Sequence, residues 1–590
     1  MAGLLLTMLA PASRATPPER AAPVPLLSPA ELDAYFLATL NRTQKPFDWD
    51  QAPLEVLWSG LRHSQGHLLL GYKPARLSRQ QIDHDVSLLQ QAPADWQAAY
   101  QQVLALLGTH ERPANAPRPA AASLVRHVPD LRYCWVRVEN PATLQALKAS
   151  PLVRYLAVTY QPALFKQLLD PAAPEPAQGE SQVQLPQTIG CGGFEGNRYG
   201  PESRYIRETE DLANVGGALI PWNYRFHNIH QAWDTKGVTG QGVGLFIFDT
   251  GLNPNSTLVR HFNRGTVTNR TLINRTSRGD NCGHGTTLAG VLAGPRQVGS
   301  KATIGVAYGA GLVAYRGTDD VIIDTQSEID SLSRAFSEAA SGRYFPGQPK
   351  IISMSLGGLL RLSAYRSIEE GIKRAYNAGI LIFCAAGTAP ESEAALTQQG
   401  SLVPKGENLA KLVFPANFTY EVTVDGQTRT IDPVVVVSGV RREARRLVPG
   451  RSPRSGFYGV STVGCENCVL GKTVDFVIVM EKPRAKGRYV QSMGWPNDDE
   501  STYPTIIGGS SVATATMAGI AALVWSKAPR RSREQVLTAL QQTAYLGTWV
   551  LADQSGTTEI NIPNGVRREF QGWGLPDAVA AINYLLAMDN

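Results

Sequence analysis

Long apolar runs are missing from this chain. Nowhere in its 590 residues do roughly 18 consecutive apolar side chains occur, the length a membrane-crossing helix needs, and the best runs, Val434–Val437 and Val474–Met480, are strand-sized. A membrane-spanning protein is therefore excluded at this stage. Charge of one sign is also missing: 56 Lys and Arg against 50 Asp and Glu give a net charge of +6, with the arginines scattered and no basic arm, which argues against nucleic acid as the main partner. Cysteine is scarce. Six residues (134, 191, 282, 384, 465, 468) are too few for a disulfide scaffold of this size and are compatible with either redox compartment. Histidine is absent after position 284, so any histidine chemistry serving a later residue must draw on the nine at or before it.

With 43% hydrophobic and 18% charged residues, 55 Gly and 39 Pro, the composition is that of a globular protein with many turns. Two Ala/Pro-rich stretches, residues 112–123 and 171–186, read as linkers because neither can bury a core. Between them Tyr133 to Val138 alternates like a strand, Asn140 caps a helix with Pro141 at its first position, and Val153 to Tyr160 alternates again, a β-α-β unit. Upstream, His67–Tyr72 reads as a strand and Ser78 to Leu107 has mostly helical spacing. The division expected is 1–28 as a signal-like or flexible start, 29–165 as a small α+β domain, 166–219 as a linker and processing region, and 220–590 as the main domain. Gly3 to Pro11, ending Ala10-Pro11-Ala12, is like the apolar core and cleavage site of a signal peptide but lacks its basic start. Secretion or the cell envelope is the expectation, with the cytoplasm as the alternative.

From about residue 220 strand-like runs alternate with amphipathic helices: Gly242 to Phe248, a helix after His284, Gly311 to Tyr315, a helix near Ile329 to Ala340, and Ile351 to Met354. That alternation predicts an α/β fold with a mostly parallel sheet covered on both faces, and reactive groups at the carboxyl ends of its strands.

Three segments there carry chemistry. Asp249 closes the run Val243-Gly244-Leu245-Phe246-Ile247-Phe248 and precedes Thr250-Gly251; alone it reads as a turn-capping acid. An aspartic protease needs two such carboxylates face to face, and no second Asp-Thr/Ser-Gly occurs, which removes that reading. His284 lies in Asp280-Asn281-Cys282-Gly283-His284-Gly285-Thr286, with glycine on both sides giving the ring room. Ser511 follows Gly508-Gly509-Ser510 at the head of an Ala-rich helix, where a serine is commonly an N-cap. The same place offers free backbone N–H groups to an oxyanion formed on attack by that serine.

Together the three segments resemble the subtilisin-like serine proteases, the subtilases, whose motifs are Asp-Thr/Ser-Gly, Gly-His-Gly-Thr and Gly-Thr-Ser-Met-Ala-x-Pro in that order. Here they read Asp249-Thr250-Gly251, Gly283-His284-Gly285-Thr286 and Gly509-Ser510-Ser511-Val512-Ala513-Thr514-Ala515. Gly305-Val306-Ala307, Ser353 to Gly358, Ala375 to Gly387 and Gly572 to Ala578 are similar to further family segments, so the likeness spans about 220 to 585. The resemblance implies a subtilisin-like three-layer fold with a propeptide-like N-terminal domain, made as a zymogen, and a mature start near Pro221-Trp222-Asn223. It implies a serine endopeptidase in which Asp249, His284 and Ser511 form a triad, Ser511 and Thr388 supply the oxyanion hole, and Ser355, Leu356 and Gly357 bind the substrate strand. Protein or peptide substrate and the chain's own propeptide are the partners implied. The family usually has Asn where Thr388 stands, which motivates the alternative of a weak or inactive subtilase-fold peptide-binding protein. Ala515 replaces the family's Pro, and Ser510 its Thr.

Two other motifs fall short. Gly464 to Thr473 ends in Gly471-Lys472-Thr473, but Glu466 stands where a phosphate loop wants glycine. Cys465-x-x-Cys468 has no second cysteine pair for a zinc site and reads as a disulfide or free thiols. No metal ligands are assigned and catalysis is expected to need no cofactor; the calcium common in the family has no readable acidic loop here. Inserted loops that shape the cleft are expected around Pro390 to Leu412 and Val440 to Thr502.

Overall fold

The structure is a computed structural model. It describes residues 24–160 except 44–46, 65 and 112–123; 212–252 except 216–217; 267–272, 279–280, 283–296, 303–323, 325–358, 365–387, 414–424, 427–443, 461–464, 468, 473–481, 490–492, 505–546, 548–549 and 571–588. Both Ala/Pro-rich linkers, residues 1–23, Thr388, Cys465 and most of the two expected insertions lie outside the described residues.

Near the N-terminus four strands, β1 (His67–Tyr72), β2 (Leu124–Val128), β3 (Tyr133–Arg137) and β4 (Val153–Val158), form a sheet in the order β2-β3-β1-β4. β1 is antiparallel to both β3 and β4, so the β-α-β unit read from sequence is split by a strand inserted between its halves. Asn140 caps the helix Pro141–Ala149 as its sequence requires, its Oδ1 accepting from the N–H of Ala142 at 3.0 Å. The helical stretch after Ser78 resolves into Arg79–His84, a short 3-10 turn Val86–Gln90 and the long helix Pro93–His110.

The larger sheet has nine strands among the described residues. Six run parallel in the order β6 (Val267–Thr271), β7 (Gly311–Arg316), β5 (Gly244–Asp249), β8 (Lys350–Met354), β9 (Leu381–Ala385), β10 (Val435–Glu443). β11 (Ser461–Gly464) pairs antiparallel with β10, β12 (Phe476–Glu481) pairs parallel with it, and β13 (Thr548–Trp549) pairs with β11. The central strands are buried on both faces, which is why they read as continuous apolar runs rather than alternating ones. Helix α1 (His284–Ala293) packs against α4 (Ser510–Lys527), and α4 runs across β8, β9, β10 and β12. Helices α2 (Gln326–Ala340) and α3 (Arg366–Asn377) pack side by side, and the N-terminal sheet docks on them. Arg126 meets Asp330 at 2.8 Å, Tyr133 OH donates to Asp330 at 3.2 Å, and Arg366 reaches Asp48 at 2.9 Å and Asp50 at 3.1 Å. At the centre Arg154 lies 2.6 Å from Glu370, both side chains buried.

Near the far edge of the sheet His227 is fully buried and neutral. Val479 N–H donates to Nε2 at 3.1 Å, so Nδ1 carries the proton and donates it to the Pro576 carbonyl at 2.9 Å. Burial pushes this imidazole down to about 4. Between that value and the unfolded one near 6.5 the unfolded chain binds the extra proton, so the stability His227 contributes is whole above pH 6.5 and drains away as pH falls through about 4. His227→Ala is expected to cost about 2–5 kcal/mol at pH 8 by orphaning both backbone groups. In denaturant unfolding its gap to wild type is expected to narrow steadily below pH 6.5.

Candidate active site

Asp249, Met354 and Ala385 end adjacent parallel strands, so the segments that follow all emerge at one carboxyl edge of the sheet. Asp249 is buried. Its Oδ1 accepts from the Thr250 N–H at 2.8 Å and from His284 Nδ1 at 2.7 Å. A carboxylate only accepts, so Nδ1 holds the proton and Nε2 is the basic nitrogen of the neutral ring. His284 opens α1 after Gly283, and Gly285 is required by close approach: a Cβ there would sit 2.3 Å from the Gly251 carbonyl oxygen. The Gly-His-Gly run thus lets α1 press its first turn against the chain that follows Asp249.

What fixes this turn is Asp280, a buried carboxylate that accepts hydrogen bonds from Thr250 Oγ1 at 2.8 Å, Gly283 N–H at 2.6 Å, Thr286 N–H at 2.8 Å and Thr286 Oγ1 at 2.7 Å. Sequence reading gave Asp280 no role. The only signal was an acid just ahead of a helix start, the N-cap pattern. Arg316, at the end of β7, donates to the Gly279 carbonyl and ion-pairs with Asp319 at 2.7 Å, holding the neighbouring chain in place.

The helix bearing Ser511 begins after Gly509, whose φ of +91° only glycine adopts without strain. Ser510 is buried, and its hydroxyl donates to the Gly387 carbonyl at 2.9 Å, tying the head of α4 to the residue that precedes Thr388. Ser511 is half-buried, and its carbonyl accepts from Ser355 Oγ at 3.1 Å. The structure therefore brings the Asp249–His284 pair, the helix start at Ser511, Ser355 and Gly387 to one edge of the sheet. Leu356 is buried, and Gly357 bonds through its backbone to Val321 and Ile323. Thr388 lies outside the described residues.

Burial pulls the His284 imidazole down, but the Asp249 charge and hydrogen bond, with Asp280 and Asp320 behind, outweigh it and leave the ring above its ordinary value. Among the described residues no cluster of three or more His, Cys, Asp or Glu could hold a metal, and no helix is long and apolar enough to cross a membrane. Cys468 is disulfide-bonded, whereas Cys134 and Cys384 are buried free thiols.

Fold and site together define a three-layer α/β protein whose carboxyl edge carries a carboxylate-oriented imidazole on a helix that packs against the helix headed by Ser510 and Ser511. The family model of the subtilase family matches residues 240–574, more than half of the chain, and the chain belongs to that family. It is a serine peptidase fold, a hydrolase by family. The thermostable alkaline protease of Halalkalibacterium halodurans is 26% identical over 345 residues, covering 58% of this chain and 73% of the relative. A subtilisin of Bacillus sp. strain TA39 is 27% identical over 349 residues, covering 57% and 70%. Among solved structures, fervidolysin from Fervidobacterium pennivorans, a keratinolytic enzyme related to subtilisin, is 14% identical with a TM-score of 0.47, covering 88% of this chain and 61% of that one.

Replacing Asp280 by Asn removes one of the charges that favour imidazolium. The His284 titration midpoint, read from its ring protons by NMR, is expected to fall in Asp280→Asn, and an unchanged midpoint would show that Asp280 acts only as a clamp.

Proposed function

We propose that this protein is a serine endopeptidase acting through Asp249, His284 and Ser511. Ser511 Oγ adds to the carbonyl carbon of a peptide bond while its proton passes to His284 Nε2. The oxyanion is held by the Ser511 backbone N–H and the Thr388 hydroxyl. The C–N bond breaks as Nε2 returns the proton to the leaving amine, and water, activated by the same ring, then hydrolyses the acyl-enzyme. Asp249 holds the tautomer throughout and stabilises the imidazolium. The observation that carries this reading is the 2.7 Å bond from His284 Nδ1 to buried Asp249, which leaves Nε2 as the base.

The region 29–165 we take as a propeptide and the chain as a zymogen. What supports this is docking by charge: Arg126, Arg154 and Arg366 pair across to Asp330, Glu370, Asp48 and Asp50. Export to the envelope or beyond fits the secreted use of such enzymes. The second reading, a peptide-binding protein with little turnover, is favoured by Thr388 standing where the family has Asn.

A fluorophosphonate probe is expected to label the processed protein at Ser511, and Ser511→Ala to abolish the label; an unlabelled wild type would favour the binder. Removing the second donor with Thr388→Val is expected to lower kcat by about 10² with KM little changed, since the loss falls on the transition state alone. N-terminal sequencing of the purified protein is expected to place the mature start near Pro221.

A further inference from the structure

An extended peptide binds such a site by adding a strand to an exposed edge, bonding to alternate residues because the N–H and C=O of every second residue face the same side. Beyond Met354, the last paired residue of β8, the chain continues as Ser355-Leu356-Gly357-Gly358. Ser355 and Gly357 are therefore the two residues that one edge of this segment offers. Gly357 is already used. Its N–H donates to the Val321 carbonyl at 2.9 Å and its carbonyl accepts from the Ile323 N–H at 2.9 Å, a parallel bridge centred on Ile322. The opposite edge is closed at the next residue, where Gly358 and Phe414 exchange both backbone bonds at 2.8 and 2.9 Å.

The covering residues Val321–Ile323 are anchored by their neighbours. Ile322 and Ile323 are buried, at 7% and 0% exposure. The Ile323 carbonyl accepts from Tyr365 OH at 2.7 Å, and the Tyr365 ring stacks on Phe414 at 4.7 Å between centroids. At the entry Asp319 is held by Arg316 and donates its N–H to Glu328 at 3.1 Å; at the exit Thr325 and Glu328 close a capping box that starts α2. Held on both sides and apolar in the middle, this segment is a fixed neighbour of Gly357.

We propose that Val321–Ile323 is a specificity-determining strap for this site: by occupying Gly357 it limits main-chain recognition on the acyl side to the residue opposite Ser355, next to the scissile bond. Pairing positions are two residues apart, so the peptide residue that would bond Gly357 is the third before the cut, and it finds no partner. The substrate class that follows is peptides selected near the scissile bond and indifferent to sequence and length further upstream. This inference rests on the peptidase reading above.

The test uses the full chain as purified, with active sites counted by fluorophosphonate labelling so that rates refer to competent enzyme. N-acetylated chromogenic peptides with one to four residues before the cut, identical at the cut itself, are compared by kcat/KM. The strap predicts values within about threefold from two to four residues. A rise of tenfold or more on adding the third residue overturns the strap and leaves the peptidase reading intact, whereas no labelling and no cleavage sinks both. Ile323→Pro, which deletes the N–H bonded to Gly357, is expected to create a tenfold or larger gain in kcat/KM on adding the third residue. Should it not fold by circular dichroism, the pair Ile322→Gly and Ile323→Gly, which strips the two buried anchors, takes its place. Length-independence persisting in a folded variant also overturns the proposal.

Discussion

The Asp249 carboxylate is a charge placed out of water at the end of a fully buried strand, and much of the surrounding architecture follows from what that requires. An ionised group in such a place is costly unless hydrogen-bond donors meet it. Thr250 and His284 supply them, and bringing His284 within 2.7 Å demands that α1 approach closer than any side chain at position 285 would permit. Asp280 then becomes necessary as a second buried acid that gathers the loop and the first turn of α1 into one hydrogen-bonded unit. Two carboxylates around one imidazole leave the ring readier to hold a proton than it would be in water, although its burial works the other way.

A similar balance governs the contact between the N-terminal sheet and the pair of helices α2 and α3. Arg154 and Glu370 are both buried there, and a buried pair contributes less to net affinity than to specificity of placement, because desolvation offsets most of its attraction. The partly exposed pairs around it, Arg126 with Asp330 and Arg366 with Asp48 and Asp50, follow the same pattern of fixing one orientation. α2 follows the strap at 321–323 in the chain and α3 starts at Tyr365–Arg366, whose tyrosine holds that strap, so the surface that receives the N-terminal sheet and the strap share their supports.

The parallel sheet and the converging motifs were legible in the sequence because each is local. An apolar run closing on Asp249, a histidine between glycines and a serine after two glycines carry their signal within a few residues. What was not legible is long-range. Asp280 is chemically indistinguishable from any turn aspartate until Thr250 and Thr286 surround it. Val321–Ile323 is a short apolar run whose partner, Gly357, is set by where two strands end in space. β1 sits between β3 and β4 although its sequence precedes both, and the helices Pro29–Thr43 and Leu54–His63 went unread because their patterns are short and crowded with aromatic and small residues. Thr388 lies outside the described residues.

The bond from Ser510 to the Gly387 carbonyl joins two stretches of chain more than a hundred positions apart into a single seat at the head of α4. Phe414, on the far side of residues 388–413, is itself latched to Gly358. The scaffold thus grips the chain at both flanks of that stretch, so an insertion or a cut within it would leave each flank held by its own backbone bond.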